Sequence, residues 1–231
     1  MAFSKFLDPK NDVAFWCIFG TEKNKDIEFL ITIMDVEIAS KKQNIVDVLY
    51  KDENEVQVIV KIQAAKTKGF KKRAQLHAAK AYSRQSNNYI NLKKVFFIAI
   101  SNSALFPEEV EYISAHSIRD IKTNGYHLKD FQFVFIELPK FTKSKVEQLE
   151  STIERWYFFF KYAENTTDKD LRDIVEKFLM LKLTYDELDK FSWNEKDLVV
   201  YEERVMDLQK EAAILEYKLD LAKGEGIKIG Q

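Results

Sequence analysis

The stretch IVDVLYKDENEVQVIVKIQ, residues 45–63, decides how this chain folds. Val56, Val58, Val60 and Ile62 alternate with Gln57, Ile59, Lys61 and Gln63, the period of two that belongs to a strand. Ile45 to Tyr50 form the opposing run, and the polar residues between the two predict the turn of a β-hairpin. With a two-residue turn at Glu53 and Asn54, Asp47 falls opposite Val60; with a three-residue loop, Glu53 to Glu55, it falls opposite Lys61. In the second register one face is Val46, Val48, Val58, Val60 and Ile62, and the other collects Asp47, Lys61 and Gln63. The apolar faces are equally clean in both registers, so periodicity leaves the choice open. A charge inside a strand belongs either to a solvated face or to a site.

The 231 residues, 46% of them hydrophobic, suffice for one large domain or for a domain with a helical appendage. The opening MAFSKFLDPK has no apolar leader core, and the longest apolar run, VFFIAI (95–100), is too short to span a bilayer. Neither secretion nor membrane association is expected. Cys17 is the single cysteine, which excludes an internal disulfide and a cysteine-based zinc site and fits a reducing, cytoplasmic setting. His77, His116 and His127 have no metal-ligand spacing, and there is no glycine-rich phosphate loop and no Ser/His/Asp or Cys/His set.

The net charge of -1 conceals a strong asymmetry. From Val56 to Pro107 there is no Asp or Glu, while Lys61, Lys66, Lys68, Lys71, Lys72, Arg73, Lys80, Arg84, Lys93 and Lys94 make ten positive charges. From Glu147 onward 20 acids face 13 basic residues, a net of 13 - 20 = -7. The first part is suited to a polyanion and the second is not; the bland alternative is that the two parts face each other.

Along the chain, NDVAFWCIFG (11–20) reads as a short helix with Asn11 or Asp12 as N-cap and Gly20 as its stop. A second helix is expected at roughly 24–34. GFKKRAQLHAAKAYSRQ (69–85) predicts a helix with Ala74, Ala78, Ala81 and Tyr82 inward and its basic residues outward. KKVFFIAIS (93–101) and FQFVFIEL (131–138) predict strands, each with a proline nearby, and 108–130 has no assignment. After Pro139 only helices are expected, around 143–163, 168–182 and 195–223, with the aromatic run WYFFFKY (156–162) docking the helical tail on the sheet domain. In the last helix Leu198, Tyr201, Val205, Leu208, Ala212, Leu215, Leu219 and Ala222 are spaced by threes and fours, a heptad seam that pairs with a second copy or packs back on its own domain.

A strand with Asp, a strand with two polar residues one apart, and then a basic helix: this order resembles the PD-(D/E)XK nuclease fold. Over most of its length the chain resembles the Rpn family of recombination-promoting nucleases and transposases. The likeness rests on FLDPKNDVAFWCIFG, IVDVLYKDENEVQVIVKIQ, AKTKGFKKRAQLHAAKAYSRQ, FIELPKF and AKGEGIKIG, from residue 6 to the end. It implies an α/β restriction-endonuclease-like core over residues 1–140, a mixed central sheet flanked by helices, followed by a helical region over 141–231. It also implies a magnesium-dependent endonuclease acting on double-stranded DNA. In that chemistry a hard cation held by Asp and Glu oxygens positions water against a phosphodiester.

The resemblance assigns Asp47 as the first acid and metal ligand and Gln63 as the last polar group. Lys66, Lys68, Lys71, Lys72, Arg73, Lys80 and Arg84 become the DNA-binding cations. The middle position departs from the pattern: where a Glu belongs stands Lys61, which in its ammonium form has no lone pair for a cation. Asp12 on the first helix, and after it Glu37, are the candidates to replace the missing carboxylate. Three functions follow: an endonuclease impaired by Lys61, a DNA-binding protein without catalysis, and an oligomeric interaction protein working through 195–223. The bland readings stand beside them, Asp47 as a surface strand residue, Lys61 as a solvated or ion-paired lysine, and the basic helix as a solvated face.

Overall fold

Six strands pair into one mixed sheet among the residues that the computed structural model describes, which are 5–19, 41–43, 48–51, 57–63, 69–86 and 88–229. They are β1 (Lys41–Gln43), β2 (Val48–Lys51), β3 (Gln57–Gln63), β4 (Val95–Ser101), β5 (Ile113–Ile118) and β6 (Leu128–Glu137), in the spatial order β1-β2-β3-β4-β6-β5. The β1/β2, β2/β3 and β5/β6 pairs are antiparallel, and β4 is parallel to both neighbours, β3 and β6. β4, VFFIAIS, is buried along its whole length, as a central parallel strand covered on both faces must be.

The crossover from β3 to β4 runs through α2 (Phe70–Ser83). Gly69 starts it at φ 77, a left-handed conformation that glycine adopts without strain. Phe70, Ala74 and Ala78 then lie against Ile59, Val95, Phe97, Ala99 and Phe135; the two alanines bring the helix close to the sheet, and the inward set is the one that the sequence predicts. Tyr82, half-buried beside Phe131, donates to Asp130 Oδ2 at 2.6 Å, and that hydrogen bond to a carboxylate holds its phenol above the usual range. On the opposite face Val58, Val60, Phe96, Ile98, Ile100, Val134 and Ile136 are equally buried.

Contacts divide the chain into Met1–Ser192 and Trp193–Gln231. The helices that follow Pro139 as far as Ser192 belong to the same unit as the sheet. These are α3 (Thr152–Tyr162), α4 (Asp168–Lys177) and α5 (Leu179–Leu188). α1 (Asp12–Phe19) joins them through an aromatic cluster: Phe15 meets Phe160, Phe19 meets Trp156, and Phe159 meets Tyr185, with ring centroids 6.3, 6.0 and 5.0 Å apart. The run at 156–160 is wholly buried.

Three departures from expectation have local causes. The unassigned 108–130 contains β5, an edge strand whose ISAHSI alternates weakly and which breaks register between Ser117 and Ile118. The helix expected at 168–182 divides at Phe178, whose φ of -154 and ψ of 88 are not helical. The helix expected from 143 begins at Thr152, where Ser151 and Glu154 form a reciprocal capping box. The expected helix at 24–34 lies outside the described residues.

In the second unit α6 (Glu195–Ile229) is a single helix, with Trp193 packed on Tyr201 at 6.0 Å. Its seam is covered at Leu198, Tyr201, Val205 and Leu208 and exposed at Ala212, Leu215, Leu219 and Ala222. No helix among the described residues is long and apolar enough to cross a membrane.

Candidate functional site

The hairpin register is resolved by the ladder itself. Val48 pairs with Val60, Leu49 with Ile59 and Tyr50 with Val58, the alignment of the three-residue loop and not of the two-residue turn. Asp47 lies outside the described residues. Strand alternation puts Lys61 on the face of Ile59, which is buried under α2. Lys61, one step further, is half-buried, and the parallel ladder sets it beside Ala99. Gln63 ends β3 in the row of Ser101 and Glu137.

Among the basic residues Lys71, Lys72, Arg73, Lys80 and Arg84 are exposed on α2 and its C-cap, while Lys66 and Lys68 lie outside the described residues. Three cations occupy the first turn of α2 and no acid does. Cations at a helix N-terminus oppose its dipole by about 0.3–1 kcal/mol each, so helix stability does not account for their presence. Helical spacing separates two flanks. Lys71, Gln75 and Ala79 face a cavity over β5 and β6; Arg73, Lys80 and Arg84 occupy the other flank.

Asn11 caps α1, its Oδ1 accepting the Val13 amide at 2.9 Å, and Asp12 sits in the first turn, where its Oδ1 accepts the same amide at 3.0 Å. The packing of α1 is with α3 and α5, whereas Lys61 stands on the face beneath α2. The carboxylate that sequence reasoning missed is Glu137, inside the quoted FIELPKF. It is fully buried, its Oε1 accepts the backbone amides of Leu105 and Phe106, and its Oε2 lies 3.0 Å from Lys140 Nζ. The signal was the Glu-Leu-Pro-Lys spacing, which sets an acid and a lysine three residues apart.

Fit to a divalent cation can be tested on this donor set. Lys61 offers an ammonium, and both oxygens of Glu137 are already engaged. No three His, Cys, Asp or Glu side chains among the described residues come together to hold a metal. The described residues therefore do not fit magnesium.

A family model described as PD-(D/E)XK nuclease family transposase matches residues 26–218. No curated protein and no solved structure matches the chain.

Proposed function

The chain belongs to the PD-(D/E)XK nuclease family transposases, and on that premise we propose that it binds double-stranded DNA through the basic face of α2 and is impaired in hydrolysing it. One observation carries the reading: Lys61 stands half-buried on the sheet face beneath the acid-free helix, where the family pattern puts a carboxylate. On this reading Asp47, one residue before the Val48/Val60 pair, faces Lys61. A lysine there changes the local charge by two units, and at about 4 Å attracts Asp47 by roughly 4 kcal/mol at an effective dielectric near 20, before desolvation is subtracted. Asp47 is then neutralised by its neighbour, and Gln63 completes the polar set.

DNA binding comes from side chains that need no metal. Exposed Lys72, Arg73, Lys80 and Arg84 neutralise phosphates without reading bases, which gives salt-sensitive, sequence-tolerant affinity. The test is nicking of supercoiled plasmid with magnesium and with EDTA. The wild-type chain is expected to be nearly inert, Lys61→Glu to gain magnesium-dependent nicking, and Asp47→Ala to abolish that gain. A wild-type chain that nicks as fast as Lys61→Glu would overturn the role given to Lys61.

A second property rests on α6. Its exposed Leu215 and Leu219 continue a seam that is covered only in its first half, and pairing with a second copy through 195–223 covers the rest.

A further inference from the structure

The cavity beside α2 belongs to none of the residues assigned above except Lys71. It has a volume of about 370 Å³, within the range of small-molecule sites. Phe131, Phe133 and Phe135 of β6 line it, and Phe106 and His116 add two nearly parallel rings whose centroids are 4.8 Å apart at 21°. Ala79 and Gln75 form the helical wall, and at the edge Lys71 Nζ lies 4.9 Å from the Phe106 ring centroid while donating to the Leu105 carbonyl at 3.2 Å. The lining is planar, aromatic and poor in hydrogen-bonding groups, with one cation at its edge.

Charge narrows the occupant. The two carboxylates of β6 are both engaged, Asp130 by the Tyr82 hydroxyl and Glu137 by Lys140 and two amides, and α2 contributes no acid. Burial lowers the His116 pKa, helped by nearby Lys71 and opposed by Glu137, so at neutral pH its imidazole is an uncharged flat surface. Its Nε2 is already 2.9 Å from the Ser114 hydroxyl. An apolar aromatic slot at the edge of a cationic helix has the character of a stacking platform on a nucleic-acid strand, where the rings hold a base and the cations hold its phosphates.

We propose that this cavity receives an unstacked nucleobase, so that the chain engages single-stranded DNA as well as the duplex, without base preference. The proposal rests on the DNA-binding reading of α2 and extends it to a base-holding site. Lys71 and the neighbouring Lys72 would meet the flanking phosphates.

The test compares three probes by fluorescence anisotropy at one salt concentration: a twelve-residue thymidine strand, an abasic strand of equal length and charge, and a duplex. The wild-type chain should hold the thymidine strand about 5- to 150-fold more tightly than the abasic one, the equivalent of one stacked base. Ala79→Trp, which fills the cavity from an exposed helix position, should bring the two strands to equal affinity, with Ala79→Ser as the size control. Circular dichroism of each variant verifies the fold. Equal binding of the two strands by the wild-type chain, or a preference that survives Ala79→Trp, overturns the proposal. If the duplex still binds in that case, only the base site has failed; if no probe binds, the DNA reading of α2 has failed with it.

Discussion

Lys140→Met is expected to destabilise the first unit by about 3–5 kcal/mol, the usual cost of removing one partner from a buried ion pair. Glu137 is 0% exposed at its side chain and Lys140 only 13%. The Nζ of Lys140 also donates to the Pro107 carbonyl at 2.7 Å and the Val110 carbonyl at 2.8 Å, so its loss strips three acceptors at once. The two amides on Glu137 Oε1 remain, which places the expectation toward the lower end. In a unit of this size each kcal/mol lowers Tm by about 2–4 °C, giving a fall of about 6–20 °C by differential scanning calorimetry. Because the Phe106 amide is bound by the same carboxylate, hydrogen exchange at Phe106 should accelerate with it. Glu137→Gln combined with Lys140→Met should cost less than the two single changes added together, since the double variant buries no unpaired charge. Strictly additive costs, or a Lys140→Met Tm within about 2 °C of wild type, would refute the claim that this pair fastens the 103–110 loop.

Replacing both Lys72 and Lys80 by Ala should flatten the salt dependence of duplex binding, reducing the slope of log K against log salt by about 1.8, or 0.9 for each phosphate that is no longer neutralised. Burial opposes ionisation of Glu154, but Lys143 at 2.7 Å and the Glu150 and Ser151 amides outweigh it and hold its folded pKa below the usual carboxylate value. Its contribution is therefore complete above the unfolded pKa and is lost as pH falls through the depressed folded one; Glu154→Gln should flatten that acid limb in Tm measurements between pH 6 and about 3. Light scattering should report a dimer for the wild-type chain and a monomer for Leu215→Lys/Leu219→Lys; two equal masses would count against the α6 seam.

Much of the sheet was legible because its information is local. The alternation around Val58 and Val60, the continuous VFFIAI of β4 and the Ala74/Ala78 stripe of α2 each appear in a handful of consecutive residues, and each forms the element it predicts. β5 was not legible because ISAHSI alternates weakly and owes its place to pairing with β6, in a ladder that breaks register between Ser117 and Ile118. The break at Phe178 was hidden for the opposite reason: the apolar spacing on both sides suits a helix, and nothing nearby in the sequence announces a change of backbone direction. The hairpin register needed the ladder, since a one-residue slip left the apolar faces equally clean. The aromatic cavity escaped altogether, because its rings come from β5, β6 and the loop before β5, and no motif in one segment contains it. Glu137 was within view but read as part of a strand end; its neighbours Leu105 and Phe106 in space are what make it a buried acceptor.

Position 61 separates the demands of folding from those of chemistry. The sheet core is fixed by Val58, Ile59 and Val60, each no more than 5% exposed, while Lys61 is only half-buried and a lysine stem can cover apolar surface with its charge at the rim. Lys61→Glu should therefore fold, but under the proposed pairing with Asp47 it exchanges an attraction for a like-charge repulsion, of order 4 kcal/mol at about 4 Å and an effective dielectric near 20. A divalent cation would relieve that repulsion, whereas the proposal gives that role in the wild-type chain to the Lys61 ammonium. Thermal denaturation thus gives a readout independent of nicking. Lys61→Glu should melt below wild type without added cation, and calcium at 100 times its dissociation constant should restore about 2.7 kcal/mol, or about 5–10 °C. Wild type should not respond, and neither should Asp47→Ala/Lys61→Glu. A Lys61→Glu melting temperature that ignores calcium would mean that positions 47 and 61 do not share one site, whatever the fold around them.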